Sequence, residues 1–179
     1  SLILQRLSLT QNELEQWRDK ATKVYLPYSA KHGIYLQQDG FLDKELTDVS
    51  SIPNEQRPIN QHWSWDRILR SPYIKQADVL QGFYFFEDHF THEELERHFD
   101  FYEPLTVHES SLSPCVHSVL AAKLGRMDQA YDFYLRTSRL DLDDYNKEVH
   151  EGLHITSMAG TWMSIVEGFA GMRVQNDTL

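Results

Sequence analysis

From Ile155 to Gly171 the chain carries a single charged side chain, Glu167, and its pattern has helical spacing. Ser157, Gly160, Ser164, Gly168 and Gly171 fall within one arc of ~80° at 100° per residue. Trp162, Ile165, Val166 and Phe169 occupy the other side. Such a helix, spanning about 155 to 170, is expected to be buried as a whole, with its small-residue stripe against a second helix. Glycine in a helix interior is about 1 kcal/mol less favourable than alanine, so close packing or close approach of a ligand has to offset it. The requirement is for helix packed on helix.

The rest of the chain supplies the partners. Thr10-Gln11-Asn12-Glu13 is a capping box with Leu9 and Leu14 as its staple. Leu14, Trp17, Ala21 and Val24 then recur on one face, predicting an amphipathic helix over 10–25. Residues 26–60 read as irregular, with Gly40, Pro53 and Pro58 as breakers; a connection this long often covers a site. Trp63 and Trp65 follow, either as sugar-stacking rings or as aromatic core beneath a loop. Lys75-Gln76-Ala77-Asp78 opens a helix through Val79, Leu80, Phe83, Tyr84 and Phe86 that should be largely buried. Thr91-His92-Glu93-Glu94 is a second capping box, stapled by Phe90 and Leu95. Ser113-Pro114 starts the next helix and Gly125 ends it; a further helix covers 127–139 and, after so short a connection, lies antiparallel to it. No stretch reads as a convincing strand and no repeat of fixed period is present. The fold class is all-α, built from antiparallel helix pairs.

Length and composition narrow the function. At 179 residues the chain suits one domain. A net charge of −10 argues against nucleic acid as the partner, while a neutral sugar, or a small anion in a locally positive site, fits. The lone Cys115 permits no internal disulfide and suits a reducing, cytoplasmic setting. No apolar run approaches the ~18 residues of a membrane span. A start at Ser1 fits either processing or a piece of a longer protein.

Two polar loops carry the candidate chemistry, His108-Glu109-Ser110-Ser111 and His150-Glu151-Gly152-Leu153-His154. Each precedes a helix that reads as buried. His154 near a helix start, with backbone N–H groups at Gly152 and Gly160, suits an anion; Ser110 and Ser111 offer hydroxyls, His108 a cation, and Glu109 an acceptor for sugar hydroxyls. Lys75 sits where the helix dipole disfavours it, which suggests a functional reason for Lys75-Gln76. The second loop also fits H-E-x-x-H, the zinc-peptidase signature. That reading requires a helix through the motif, which Gly152 weakens, and no third ligand stands downstream at the usual distance. Cys115, in the first turn of its helix, reads as a packed small hydrophobe, although a thiol there can acidify.

Tyr73-Ile74-Lys75-Gln76-Ala77-Asp78-Val79, Thr106-Val107-His108-Glu109-Ser110-Ser111-Leu112-Ser113, and Glu151 to His154 running on through Ala159-Gly160-Thr161-Trp162 resemble glycoside hydrolase family 65. The resemblance covers essentially the whole chain and is nearest to the members that act on maltose. It implies about half of an (α/α)₆ barrel, residues 1–179 being a fragment of one catalytic domain without the family's flanking β domains. It implies inverting phosphorolysis of maltose or a related α-linked glucose disaccharide, with inorganic phosphate as co-substrate and no cofactor or metal. On the matching positions Lys75, Gln76 and Glu109 contact the glucosyl unit, and Ser110, Ser111, His154 and Gly160 contact phosphate. The family's general acid lies upstream of everything here, so no catalytic residue falls in this chain and the isolated chain is expected to be inactive. The remainder of the parent enzyme, commonly a homodimer, is the implied partner. A family hydrolase using water is the nearest rival.

Overall fold

The computed structural model describes residues 6–173. Helix α1 (Gln11–Lys23) begins at the first capping box: Thr10 Oγ1 accepts the Glu13 N–H and the Glu13 carboxylate accepts the Thr10 N–H. None of its residues is buried, and Trp17 is 51% exposed. The apolar face is present but is left unburied by the described residues.

The segment to residue 60 differs from the irregular expectation. It contains a two-residue hairpin, β1 (Tyr28–Ser29) paired antiparallel with β2 (Ile34–Tyr35), and three single 3₁₀ turns. Two side chains from the helix that follows the second capping box anchor it: the Tyr35 N–H donates to His98 Nε2 (2.8 Å), and Tyr102 Oη donates to the Tyr35 carbonyl (2.7 Å). Phe41 is driven into the core. Two short helices follow, α2 (Ile59–His62) and α3 (Trp65–Arg70). Trp63 takes the core role, its ring against Tyr73 and its Nε1–H donating to Gln56; Trp65 is 75% exposed.

α4 (Asp78–Phe85) starts three residues later than expected, leaving Lys75 and Gln76 outside it. Leu80 and Phe83 are buried, but Phe85 and Phe86 are exposed. The second capping box opens α5 (His92–Tyr102), whose buried side is Leu95, His98, Phe99 and Tyr102. α6 (Ser113–Lys123) is buried continuously from Ser113 to Ala121 and packs with α4 and with the helices that follow it. Gly125, at φ +75°, then turns the chain into α7 (Met127–Ser138), which pairs with α6. A left-handed residue here suits glycine, which has no Cβ to clash. α8 (Ile155–Met163) and its π-helical continuation Ser164–Phe169 close against α6 and α7. Ser164 Oγ donates back to the Gly160 carbonyl (2.9 Å) where the ladder widens.

The small-residue stripe behaves as its spacing demands, with one exception. A Cβ on Gly160 would stand 2.6 Å from Cys115 Cβ, and one on Gly168 would stand 3.5 Å from Val119 Cα. Gly171 is not part of the contact; it takes φ +64° beyond the helix, with open space around it. Burial is one-sided rather than complete, because Trp162 is 59% exposed and Ile155, Met158 and Ile165 also face outward. Antiparallel helix pairs with uncovered apolar faces are the layout of an arc of an (α/α)₆ barrel. Among the described residues no helix is long and apolar enough to cross a membrane.

Candidate functional site

One isolated parallel bridge assembles the first half of the site. Ile74 pairs with Thr106: the Ile74 N–H donates to Leu105 O and the Val107 N–H donates to Ile74 O, both at 2.9 Å. This lays Lys75 and Gln76 alongside the loop that begins at Val107. Ser110 Oγ then donates to Gln76 Oε1 (3.0 Å) and accepts the Leu112 N–H (3.2 Å). Lys75 is exposed, and its charge acts on the Glu109 carboxylate.

The loop is held tightly. His108 adopts φ +55°, a region that costs a non-glycine residue energy. Its Nδ1 pairs with Ser113 Oγ at 2.9 Å, and the Arg136 guanidinium of α7 donates to the carbonyls of Val107 (3.5 Å) and His108 (3.0 Å). His108 is thus a buried structural ring, packed on His117 and Phe133, and burial holds it well below the usual imidazole range. It is neutral rather than the cation its loop position suggests.

Glu109 is 5% exposed. The 26–60 segment does cover it: the Ile59 N–H donates to Glu109 Oε1 at 2.7 Å. Among the described residues Oε2 has no hydrogen-bond partner. Burial pushes the carboxyl up, against the lowering by the N–H groups of Ile59 and Asn60 and the positive charges of Arg57 and Lys75. Arg57 and Arg136 each leave a buried Nε without a partner nearby.

The second half arrives on α8. His154 sits at its N-terminal boundary and is part-buried. Asp141, on the turn after α7, grips it twice: the His154 N–H donates to Oδ2 (2.8 Å), and Nδ1 pairs with Oδ1 (2.5 Å). Glu148 Oε2 is 3.8 Å from His154 Nε2, beyond hydrogen-bond distance. One turn on, Ser157 Oγ donates to the Ser111 carbonyl (3.4 Å), tying the start of α8 to the first loop. A cavity of about 400 Å³ lined by Thr137, Asp141, Leu153, Ser157 and Thr161 lies alongside. A larger apolar cleft between Leu26, Phe86 and Phe90 lies away from both loops.

Lys75, Gln76, Glu109, Ser110 and Ser111 therefore come together, with His154 one helical turn from the contact that joins them. Gly160 does not join them; it sits inside α8 against Cys115, its N–H within the helix. Cys115 itself is buried, and burial pushes its thiol up rather than down. The His150–His154 motif is not helical: His150 lies in a 3₁₀ turn, Gly152 has φ +130°, and His154 starts the next helix. The two imidazoles thus lack the one-face spacing that zinc needs, and among the described residues no group of three or more His, Cys, Asp or Glu is arranged to hold a metal ion. Sequence reasoning missed Asp141, Arg136 and Ser157. Asp141 stands in an acidic run with Asp143 and Asp144 that reads as solvated surface.

Known proteins resemble this chain. Maltose phosphorylase of Bacillus subtilis (strain 168) is 57% identical over 173 residues, covering 97% of this chain and 23% of the relative. Alpha,alpha-trehalose phosphorylase of Thermoanaerobacter brockii is 44% identical over 177 residues, covering 99% of this chain and again 23% of the relative. A solved structure assigned as a kojibiose phosphorylase from the human microbiome superposes with a TM-score of 0.84 at 41% identity, over 99% of this chain and 24% of that one. The chain thus spans under a quarter of the length of each of these three proteins. Residues 2–163 match the central catalytic domain of glycosyl hydrolase family 65, and the chain belongs to that family.

Proposed function

We propose that this chain forms the phosphate side and part of the glucosyl side of a disaccharide phosphorylase. The reaction is inverting phosphorolysis of maltose, or a related α-glucoside, to β-glucose 1-phosphate and glucose. The observation that carries it is the convergence of Gln76, Glu109, Ser110 and Ser111 with the His154 end of α8, through the Ile74–Thr106 bridge and the Ser157–Ser111 contact. The family relatives named above, all phosphorylases, support the reaction class.

The chemistry follows from the donors and acceptors. Glu109 has one oxygen fixed by Ile59 and one without a partner; the second accepts from a glucosyl hydroxyl, with Lys75 and Gln76 beside it. Ser110, Ser111 and His154 hold phosphate. A phosphate oxygen attacks the anomeric carbon as the glycosidic C–O bond breaks, and a carboxylic acid protonates the leaving oxygen. In an inverting hydrolase a catalytic base would activate water on the attacking side; here the anion takes that place. The acid belongs to a part of the enzyme outside these residues, and a homodimer of the full enzyme in the cytoplasm completes the reading.

The test joins this chain to the remaining length of a family 65 polypeptide and supplies maltose with and without phosphate. Phosphate-dependent β-glucose 1-phosphate is expected, with no turnover by the 179 residues alone. Equal maltose cleavage without phosphate, yielding only glucose, would establish the hydrolase instead. His154→Ala should raise the phosphate KM by roughly tenfold or more, since a charge-assisted hydrogen bond is worth about 1.5–3 kcal/mol. The maltose KM should change less than about twofold; equal losses for both substrates would remove His154 from the phosphate subsite.

A further inference from the structure

We infer that Asp141 is the positioning residue of the phosphate subsite: its carboxylate holds His154 by both ring Nδ1 and backbone N–H, leaving only Nε2 to meet the anion. The inference rests on the reading of His154 as a phosphate ligand.

The geometry carries it. The two oxygens of one carboxylate take two different donors of one residue, at 2.5 and 2.8 Å. The backbone contact fixes where His154 sits at the start of α8; the ring contact fixes how it is turned. Because a carboxylate only accepts, Nδ1 must carry a proton. Neutral imidazole has one N–H, so Nε2 would then be a bare lone pair facing the anion. Asp141 therefore selects the nitrogen that acts. The side chains of His154 and Asp141 are 22% and 14% exposed, so water competes little for the contact. Among the described residues Nε2 has no hydrogen-bond partner of its own, with Glu148 at 3.8 Å. Asp141 also bridges elements that the sequence keeps apart, the end of α7 and the start of α8, 13 residues on.

An amide cannot do the same work. In Asp141→Asn the single carbonyl oxygen serves one donor, and the NH₂ group faces the other. Outer partners of this kind typically change ligand affinity by about 10–100-fold.

The experiment uses the complete enzyme carrying this chain and measures four KM values: phosphate and maltose forward, β-glucose 1-phosphate and glucose in reverse. Asp141→Asn is expected to raise the KM of both phosphate-bearing substrates by roughly tenfold, leaving both neutral sugars within about twofold. In a His154→Ala background the same substitution should add nothing, because the residue it positions is gone. Asp141→Glu, which keeps two accepting oxygens, should recover much of the affinity. A purely architectural Asp141 predicts the opposite pattern: all four KM values shift together, or the penalty persists without His154. Either result overturns the inference, as does an Asp141→Glu no better than Asp141→Asn. If His154→Ala itself leaves the phosphate KM unchanged, the proposed function of His154 fails first and the inference falls with it.

Discussion

Gly160→Ala adds one methyl group at the tightest point between α6 and α8. The new Cβ would lie 2.6 Å from Cys115 Cβ, 2.8 Å from Cys115 Sγ and 3.3 Å from Thr137 Cγ2. Carbon atoms prefer about 3.5–4.0 Å, so the overlap with Cys115 is about 1 Å. A Cβ has no rotamer by which to escape, and the two helices must part. Overpacking costs about 1–3 kcal/mol, and this case belongs at the upper end. Alanine regains about 1 kcal/mol of helix propensity over glycine. The net expectation is a loss of roughly 2 kcal/mol, read as a lower urea midpoint at unchanged slope. Cys115→Ala should give little rescue, because it removes Sγ and leaves Cβ in place. Cys115→Gly removes both atoms, so the Gly160→Ala/Cys115→Gly pair should be more stable than the sum of the single changes by about 2 kcal/mol. Gly160→Ala with wild-type stability would refute the packing account. A raised phosphate KM without any change in midpoint would return Gly160 to the phosphate subsite.

Two further perturbations probe the ground beneath the loops. His117 is fully buried with Nε2 unpartnered, and burial pushes its pKa down to about 4 from an ordinary 6.5. The folded state thus binds fewer protons than the unfolded one between those values. The stability is complete above about pH 6.5 and is lost as pH falls toward 4, by roughly 3 kcal/mol at ~1.4 kcal/mol per unit. His117→Phe should flatten the fall in urea midpoint between pH 7 and 4 by about that amount; an unchanged slope would refute the assignment. Glu148 is the negative charge nearest His154 Nε2, so Glu148→Gln should tighten phosphate. A charge about 5 Å away in a water-like medium is worth ~0.8 kcal/mol, about fourfold in KM, and a weaker phosphate interaction would mean that Glu148 supports rather than opposes the anion.

What the sequence disclosed is local. Both capping boxes form as spaced, because the hydrogen bonds that make them join residues three apart. The α6–α7 pair follows from Pro114, Gly125 and a short connection. The glycines at 160 and 168 signalled close approach and found Cys115 and Val119. Direction and partner were less legible. Trp162 and Ile165 are as apolar as a buried face requires, yet hydropathy records only that a surface is to be covered, not by which stretch of chain, and here no described residue covers it. The polar loops were legible as loops because polar residues preceding apolar helices have few other places to go. Their assembly was not. It depends on the Ile74–Thr106 bridge, 32 residues apart in sequence, on an arginine from α7 gripping loop carbonyls, and on an aspartate within an acidic run.

Those three contacts have one physical cause. An anion subsite needs donors from separate elements held at fixed distances, and loops alone cannot hold them, since each loop residue retains conformational freedom that binding would have to remove. Here contacts within the chain already restrict these residues. His108 is locked at φ +55° by Arg136 and Ser113, Gln76 is pinned by Ser110, and His154 is gripped by Asp141. Each lock runs to a rigid helix or to the bridge beside one, and the locks converge on α6 and its neighbours, the most buried part of the chain. The unpartnered Glu109 Oε2 and the free His154 Nε2 are the atoms this arrangement leaves over, and these are the atoms a sugar and an anion would take.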